Sequence, residues 1–119
     1  MSDREMLELA AKAAGIEGSY GFPPNDYYYR ELYRGNPNGI LTTSQHGRIY
    51  VWNPLTDDGD ALRLAVKLRI DVNHGDFMVV AEGVGAIEVG VAESKKPDPD
   101  AATRRAIVRA AAEIGRNMP

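Results

Sequence analysis

The stretch that decides the fold lies at residues 98–116, which read DPDAATRRAIVRAAAEIGR. Asp98 is a favourable N-cap residue, and Pro99 occupies the first helical position, where its missing N–H removes no hydrogen bond. The residues at helical spacing that form the apolar stripe of this stretch are Thr103, Ile107, Ala110, Ala111, Ile114 and Met118. The pattern predicts a long helix that ends between residues 115 and 117, and its many alanines allow a close approach to a sheet.

The chain before this helix alternates in the way that β-strands do. In residues 86–91 every second residue is a large aliphatic one, and the residues between them are glutamate and glycine. Residues 77–82 form the preceding strand of a predicted hairpin, whose turn is Gly83-Val84-Gly85. Residues 68–72 lead into one further strand.

A second hairpin and a second helix are predicted in the middle of the chain. Residues 40–44 and 48–52 are the strands of the hairpin, and Pro54 ends the second strand because it lacks a backbone donor. The N-cap candidates of the helix that follows are Thr56, Asp57 and Asp58. Its buried face is predicted to contain Leu62, Ala65, Val66 and Leu68. Its solvent face is predicted to contain Asp60, Arg63 and Lys67.

The first helix is predicted over residues 3–14. Ser2 and Glu5 form a capping box at its start, and Gly15 suits the left-handed position after its end. Residues 27–33, which read YYYRELY, predict either a strand or a short helix. Together these elements predict an α+β fold in one domain, residues 1–119, with three helices packed on a mainly antiparallel sheet as a three-layer α/β/α sandwich.

Composition limits the classes of partner that we expect. The chain has 119 residues, no cysteine and a formal net charge of -3, so it lacks the global positive charge that attracts nucleic acids or anionic membranes. It shows neither a secretion signal nor an apolar run of the ~18 residues that a membrane span requires. We therefore expect a cytoplasmic protein with no nucleic-acid or membrane partner.

The chemically active residue types do not form a recognisable catalytic or metal-binding motif. The densest acidic cluster is Asp57, Asp58 and Asp60, but it lacks the calcium-loop pattern and fits helix capping. His46 and His74 are far apart in sequence and lack the spacing of a helical zinc pair. The sequence predicts no catalytic residue, metal or cofactor. An enzyme assembled from dispersed carboxylates is the alternative, with no reaction that the sequence names.

Aromatic and arginine side chains are the best candidates for binding. Tyrosine and tryptophan combine a large contact area with few rotatable bonds, and arginines on the last helix offer positive charge to an acidic partner. The alternative roles are ordinary packing for the aromatic side chains and a solvated helix face for the arginines. The candidate binding residues are Tyr27, Tyr29, Tyr33, Trp52, Arg105 and Arg109.

Three blocks of the chain resemble one group of small bacteriophage and prophage proteins. The blocks are residues 7–16 (LELAAKAAGI), 52–65 (WNPLTDDGDALRLA) and 100–115 (DAATRRAIVRAAAEIG). They are similar to segments of the phage α-β-α sandwich domain proteins, which are NinX-like accessory proteins of unknown function. The resemblance implies a phage or prophage origin and a three-layer sandwich, and it implies no activity and no catalytic residue.

The sequence therefore predicts a non-enzymatic phage accessory protein that binds a host or phage protein in the bacterial cytoplasm. The alternative function is a small-ligand or nucleotide-binding module, in which aromatic residues stack on the ligand and arginines hold its phosphate.

Overall fold

Three helices and six strands make up the part of the chain that the computed structural model describes, which is residues 1–21, 38–43, 46–84 and 88–119. The helices are α1 (Asp3–Ala14), α2 (Asp58–Leu68) and α3 (Pro99–Arg116). The strands are β1 (Gly18–Tyr20), β2 (Ile40–Thr43), β3 (Ile49–Trp52), β4 (Ile70–His74), β5 (Met78–Val84) and β6 (Glu88–Ser94). The α+β class is confirmed. The aromatic segment at residues 27–33 lies outside the described residues.

The helix ends follow from the capping residues. The Oγ of Ser2 accepts a hydrogen bond from the N–H of Glu5 at 3.1 Å. Gly15 has a φ of 69° and donates to two carbonyls of the last turn of α1. Asp98 caps α3 by accepting bonds from two backbone N–H groups. The predicted bounds of α1 and the predicted start of α3 are confirmed.

The strands form two antiparallel sheets of three strands each, in the orders β1-β2-β3 and β4-β5-β6. Both predicted hairpins are confirmed, with Leu41 opposite Val51 in one and Val80 opposite Ala92 in the other. The sequence interpretation had placed the strands in one sheet. Pairing order cannot be deduced from the alternation of a strand, because alternation fixes only which face is apolar.

Helix α3 packs between the sheet β4-β5-β6 and α1. A Cβ on Gly83 would lie 3.3 Å from the Cδ1 of Ile114, and a Cβ on Gly115 would overlap the backbone of α1 at Leu9. The opposite face of this sheet presents exposed Glu82 and Glu88. Because these charged side chains keep the second face in water, the helices lie together on one face of the sheet. The predicted three-layer sandwich would have helices on both faces.

Helix α2 buries only part of the predicted face, since Ala65 is buried and Leu68 is partly buried, but Leu62 and Val66 are not. Leu62 and Val66 are 65% and 69% exposed, while Asp60 is only 6% exposed. The residues of α2 that are buried are Asp60, Ala61, Leu64 and Ala65. The predicted solvent face is confirmed for Arg63 and Lys67 and is wrong for Asp60. Here Asp60 is buried because its two oxygens accept hydrogen bonds from Asn53 and Arg63.

The predicted turn at Gly83-Val84-Gly85 is wrong for its first two residues. Strand β5 continues through Val84, with Gly83 opposite Val89 and Val84 opposite Glu88. Gly83 pairs with a strand on each side, and a glycine suits this position because an added Cβ would lie 3.3 Å from the Cδ1 of Ile114 on α3. Residue 85 lies outside the described residues.

Candidate functional site: the groove beside strand β6

A groove of about 790 Å³ runs beside β6, between the start of α1 and the exposed side of α3. We call it the β6 groove. Its lining residues are Met1, Met6, Glu88, Val89, Gly90, Val91, Glu93, Arg105, Arg109, Glu113 and Asn117. Two of the predicted binding residues, Arg105 and Arg109, therefore meet in one place.

The outer edge of β6 supplies peptide groups to this groove. The N–H of Lys95 bonds to the carbonyl of Phe77 at 2.9 Å, which makes these two residues a hydrogen-bonded pair of the β5–β6 ladder. Since such pairs alternate along an antiparallel ladder, the odd-numbered residues of β6 bond to β5. The peptide groups of Gly90 and Ala92 consequently point away from β5. They lie along the outer edge of the sheet, because β6 is its last strand.

Arg109 is held at this edge by two contacts. Its Nη1 donates to the Oε1 of Glu93 at 2.8 Å and to the backbone carbonyl of Ala92 at 3.2 Å. Glu93 can reach α3 because it lies on the same face of β6 as the buried Val89 and Val91. The contact with Ala92 agrees with the outward direction of that carbonyl.

Arg105 is one turn earlier on α3 and shares Glu93. Its Nε lies 3.4 Å from the Oε1 of Glu93, and its Nη1 lies 3.3 Å from the Oδ1 of Asp3 at the start of α1. The first turn of α1 is also a favourable place for the carboxylate of Asp3, because the N-terminal end of a helix carries a partial positive charge. Both arginines are thus neutralised by carboxylates within the chain, and they join α1, α3 and β6.

Trp52, which is the other predicted binding residue within the described part of the chain, does not line this groove. Trp52 is only 3% exposed and belongs to the hydrophobic core, which supports the packing alternative for that side chain. The three tyrosines Tyr27, Tyr29 and Tyr33 lie outside the described residues, and their predicted role stays a prediction.

The acidic cluster around the start of α2 has structural roles. Asp57 is the N-cap of α2 and accepts from the N–H of Asp60 at 2.8 Å. The Oδ2 of Asp60 accepts from the N–H of Asn53 at 3.0 Å, and its Oδ1 accepts from Arg63 at 2.8 Å. The hydrogen bond with Asp60 raises the pKa of Arg63 above its usual value. The capping interpretation therefore holds for Asp57, whereas Asp60 ties the start of the helix to Asn53 and Arg63.

The described residues bring together no grouping that could hold a metal ion through histidine, cysteine or carboxylate side chains. In the same part of the chain every buried side-chain polar atom has a hydrogen-bond partner. No described helix is long and apolar enough to cross a bilayer. The β6 groove is lined by peptide groups of β6, by the ion pairs of Arg105 and Arg109 and by apolar side chains.

Comparisons with known proteins find no matching protein family, no matching curated protein and no matching solved structure. The assignment of the groove accordingly rests on its geometry. Sequence reasoning missed Gly90, Ala92 and Glu93 as site residues, although the alternation of residues 86–91 did identify the strand that contains all three. The missing information was the position of that strand at the edge of its sheet.

Proposed function

We propose that this protein is a non-enzymatic interaction module that binds an extended segment of a partner protein along the outer edge of β6. The observation that carries the proposal is the row of outward-pointing peptide groups on β6 beside a groove of about 790 Å³. A segment that adds as a fourth strand gains main-chain hydrogen bonds, and the groove beside the edge accepts its side chains.

Gly90 and Ala92, the two central outward-facing positions of β6, differ in how readily they accept a strand. A Cβ on Gly90 would meet nothing within 4 Å, so the face of the sheet at this position has room for the side chains of a bound segment. At Ala92 the carbonyl already accepts from Arg109. A bound segment would take over this carbonyl, and Arg109 would keep its ion pair with Glu93 at 2.8 Å. Pairing is therefore expected to begin at Gly90.

A host or phage protein in the bacterial cytoplasm is the partner that we propose. The support for this part is the resemblance of residues 7–16, 52–65 and 100–115 to phage accessory proteins. The acidic balance of the chain, -3, also favours a protein over a nucleic acid as the partner.

The nucleotide-binding alternative has less support from the geometry of the groove. A phosphate at Arg105 and Arg109 would have to displace Glu93, which contacts both guanidinium groups within 3.4 Å. A thermal-shift screen with nucleotides tests this alternative directly, because a ligand that binds the folded state raises the unfolding temperature.

The test of strand addition uses short peptides selected from a random library on the folded protein. Gly90→Pro should weaken their binding about 10-fold or more, because the proline removes an outward N–H and places a ring at the edge. The ladder with β5 keeps its hydrogen bonds, since the N–H of Gly90 does not point to β5. Gly90→Ala is the matched control, and it should bind the peptides as the parent protein does.

Amide exchange adds a second readout. Bound peptide should slow the exchange of the Gly90 and Ala92 amides. Peptides that bind Gly90→Pro as well as they bind the parent protein would place the binding surface elsewhere and refute the strand-addition mechanism. A nucleotide that raises the unfolding temperature in a manner that depends on Arg105 would instead favour the ligand-binding alternative.

A further inference from the structure

The face of the sheet β4-β5-β6 that is turned away from α3 carries negative charge beside the outer edge of β6. The register places Glu82 of β5 between Asp71 of β4 and Gly90 of β6. Glu88 lies on the same face, two residues before Gly90, because side chains alternate along a strand. Asp71, Glu82 and Glu88 are all exposed, and we call these three residues the acidic face.

The acidic face has no counter-charge within the described part of the chain. None of the ion pairs between described residues includes Asp71, Glu82 or Glu88. Asp71 and Glu82 are also directly opposite each other in the ladder, which is an unfavourable arrangement for two like charges. The charge on this face is therefore complementary to cationic groups of a partner.

Gly90 leaves an open path between the outer edge of the sheet and Glu82. A Cβ added at Gly90 would meet nothing within 4 Å. Neighbouring strands are about 4.8 Å apart, so a residue of an added strand opposite Gly90 would lie about 10 Å from Glu82. The long side chain of a lysine or arginine can lie over the glycine, with its apolar stem on the backbone and its charge near the carboxylate.

We propose that the segment bound at the β6 edge is basic, with one lysine or arginine opposite Gly90 and another opposite Glu88. The residue between these two lies opposite Val89 and points to the other face of the sheet, toward the β6 groove. An apolar residue suits that position, so the pattern of the segment is basic, apolar, basic. This inference rests on the proposed function, because it names the kind of segment that adds to β6.

The two arginines of the β6 groove do not oppose such a segment. Arg105 and Arg109 lie on the face of the sheet that α3 covers, and both are ion-paired with Glu93. The acidic face lies on the opposite side of the sheet, where the basic residues of the segment would point. Its charge is concentrated at the end of β6 where pairing is expected to begin.

Two synthetic peptides are the probes for this inference. One alternates lysine and valine over five positions between glycine–serine flanks, and the other has glutamate in place of each lysine. Fluorescence anisotropy should show that the lysine peptide binds the parent protein at least ~10-fold more tightly. Added salt should weaken its binding, because the carboxylates of the acidic face are exposed to solvent.

Neutral variants assign this preference to particular residues. The double variant Glu82→Gln with Glu88→Gln should bind the lysine peptide about 3–10-fold more weakly than the parent protein does, and its binding should depend less on salt. The matched control is Glu17→Gln with Asp76→Asn, which removes the same charge from exposed positions outside the strands. The control should bind as the parent protein does.

The variant Gly90→Pro separates a failure of this inference from a failure of the proposed function. Equal binding of the two peptides, or parent-like binding by the double glutamine variant, would overturn the inference alone if Gly90→Pro still abolishes binding. A preference for lysine that survives Gly90→Pro would overturn both, since the acidic face would then attract the peptide without strand pairing. A lysine peptide that does not bind at millimolar concentration would overturn the inference, and the library peptides would decide on strand addition.

Discussion

Replacing Gly115 by alanine should destabilise the domain, although alanine is the better helix former. A Cβ at this position would overlap the carbonyl oxygen of Leu9 and would lie 2.9 Å from the carbonyl carbon and 3.4 Å from the N–H nitrogen of Ala13. These atoms belong to the backbone of α1, so no change of side-chain rotamer relieves the overlap. Helix α1 as a whole must move away from α3.

The expected loss of stability is the difference between two effects. Gly→Ala within a helix stabilises by about 1 kcal/mol, through the backbone entropy of the unfolded chain. Forcing extra volume into a packed interface costs about 1–3 kcal/mol, and the rigid neighbour here argues for the upper part of that range. We therefore expect a net loss of about 1–2 kcal/mol in the free energy of unfolding, with a fall of about 4–8 °C in Tm.

Urea denaturation followed by circular dichroism measures this difference. Gly90→Ala is the control, because a Cβ at Gly90 meets nothing within 4 Å and the stability should change by less than about 0.5 kcal/mol. A Gly115→Ala protein as stable as the parent, or more stable, would show that α1 and α3 do not approach each other so closely. The packing of the helices described above would then be refuted.

Three further substitutions test the structural roles assigned to buried and capping residues. Trp52→Ala should cost about 3–5 kcal/mol in urea denaturation, because it empties a core position, and an unchanged midpoint would return Trp52 to the list of surface binding residues. Asp60→Ala should cost about 1–3 kcal/mol, since it leaves the buried N–H of Asn53 without its acceptor. Asp71→Ala, at an exposed strand position, should be neutral by comparison, and equal losses from both would contradict the role of Asp60. Asp98→Ala should cost about 0.5–2 kcal/mol and should speed exchange of the two amides that it caps, whereas unaltered exchange would argue against the cap.

The helix ends could be predicted from the sequence, because they depend on contacts between neighbouring residues. Helix α1 begins and ends at the predicted residues because the capping contacts of Ser2 and Gly15 involve only neighbouring residues. Asp98 and Pro99 define the start of α3 in the same way. A capping residue bonds to unpaired backbone groups at the end of its own helix, so its effect can be predicted without knowledge of the rest of the fold.

Features that depend on distant partners were not predictable. The face of α2 was misassigned because Asp60 is buried by bonds to Asn53, which precedes the helix, as well as to Arg63 on the helix itself. The need for a glycine at position 83 of β5 comes from Ile114, which is 31 residues further along the chain and leaves little room for a Cβ. The candidate site could be predicted only in part, since Arg105 and Arg109 were identified but the edge position of β6 depends on the order of strands in a sheet.

The small side chains of α1 and α3 affect the entropy of folding. Helix α1 buries Ala10, Ala11 and Ala14, and α3 buries five alanines, at positions 102, 106, 110, 111 and 112. Alanine has no rotamers to lose, whereas ordering a long side chain costs up to about 2 kcal/mol. These two helices are thus fixed with little loss of side-chain freedom, and their cohesion comes from dispersion between closely spaced backbones. Because an entropic cost grows with temperature, the alanine contacts should lose less of their stabilising effect on heating than the contacts of longer side chains such as Met6 and Leu7 on the same helix.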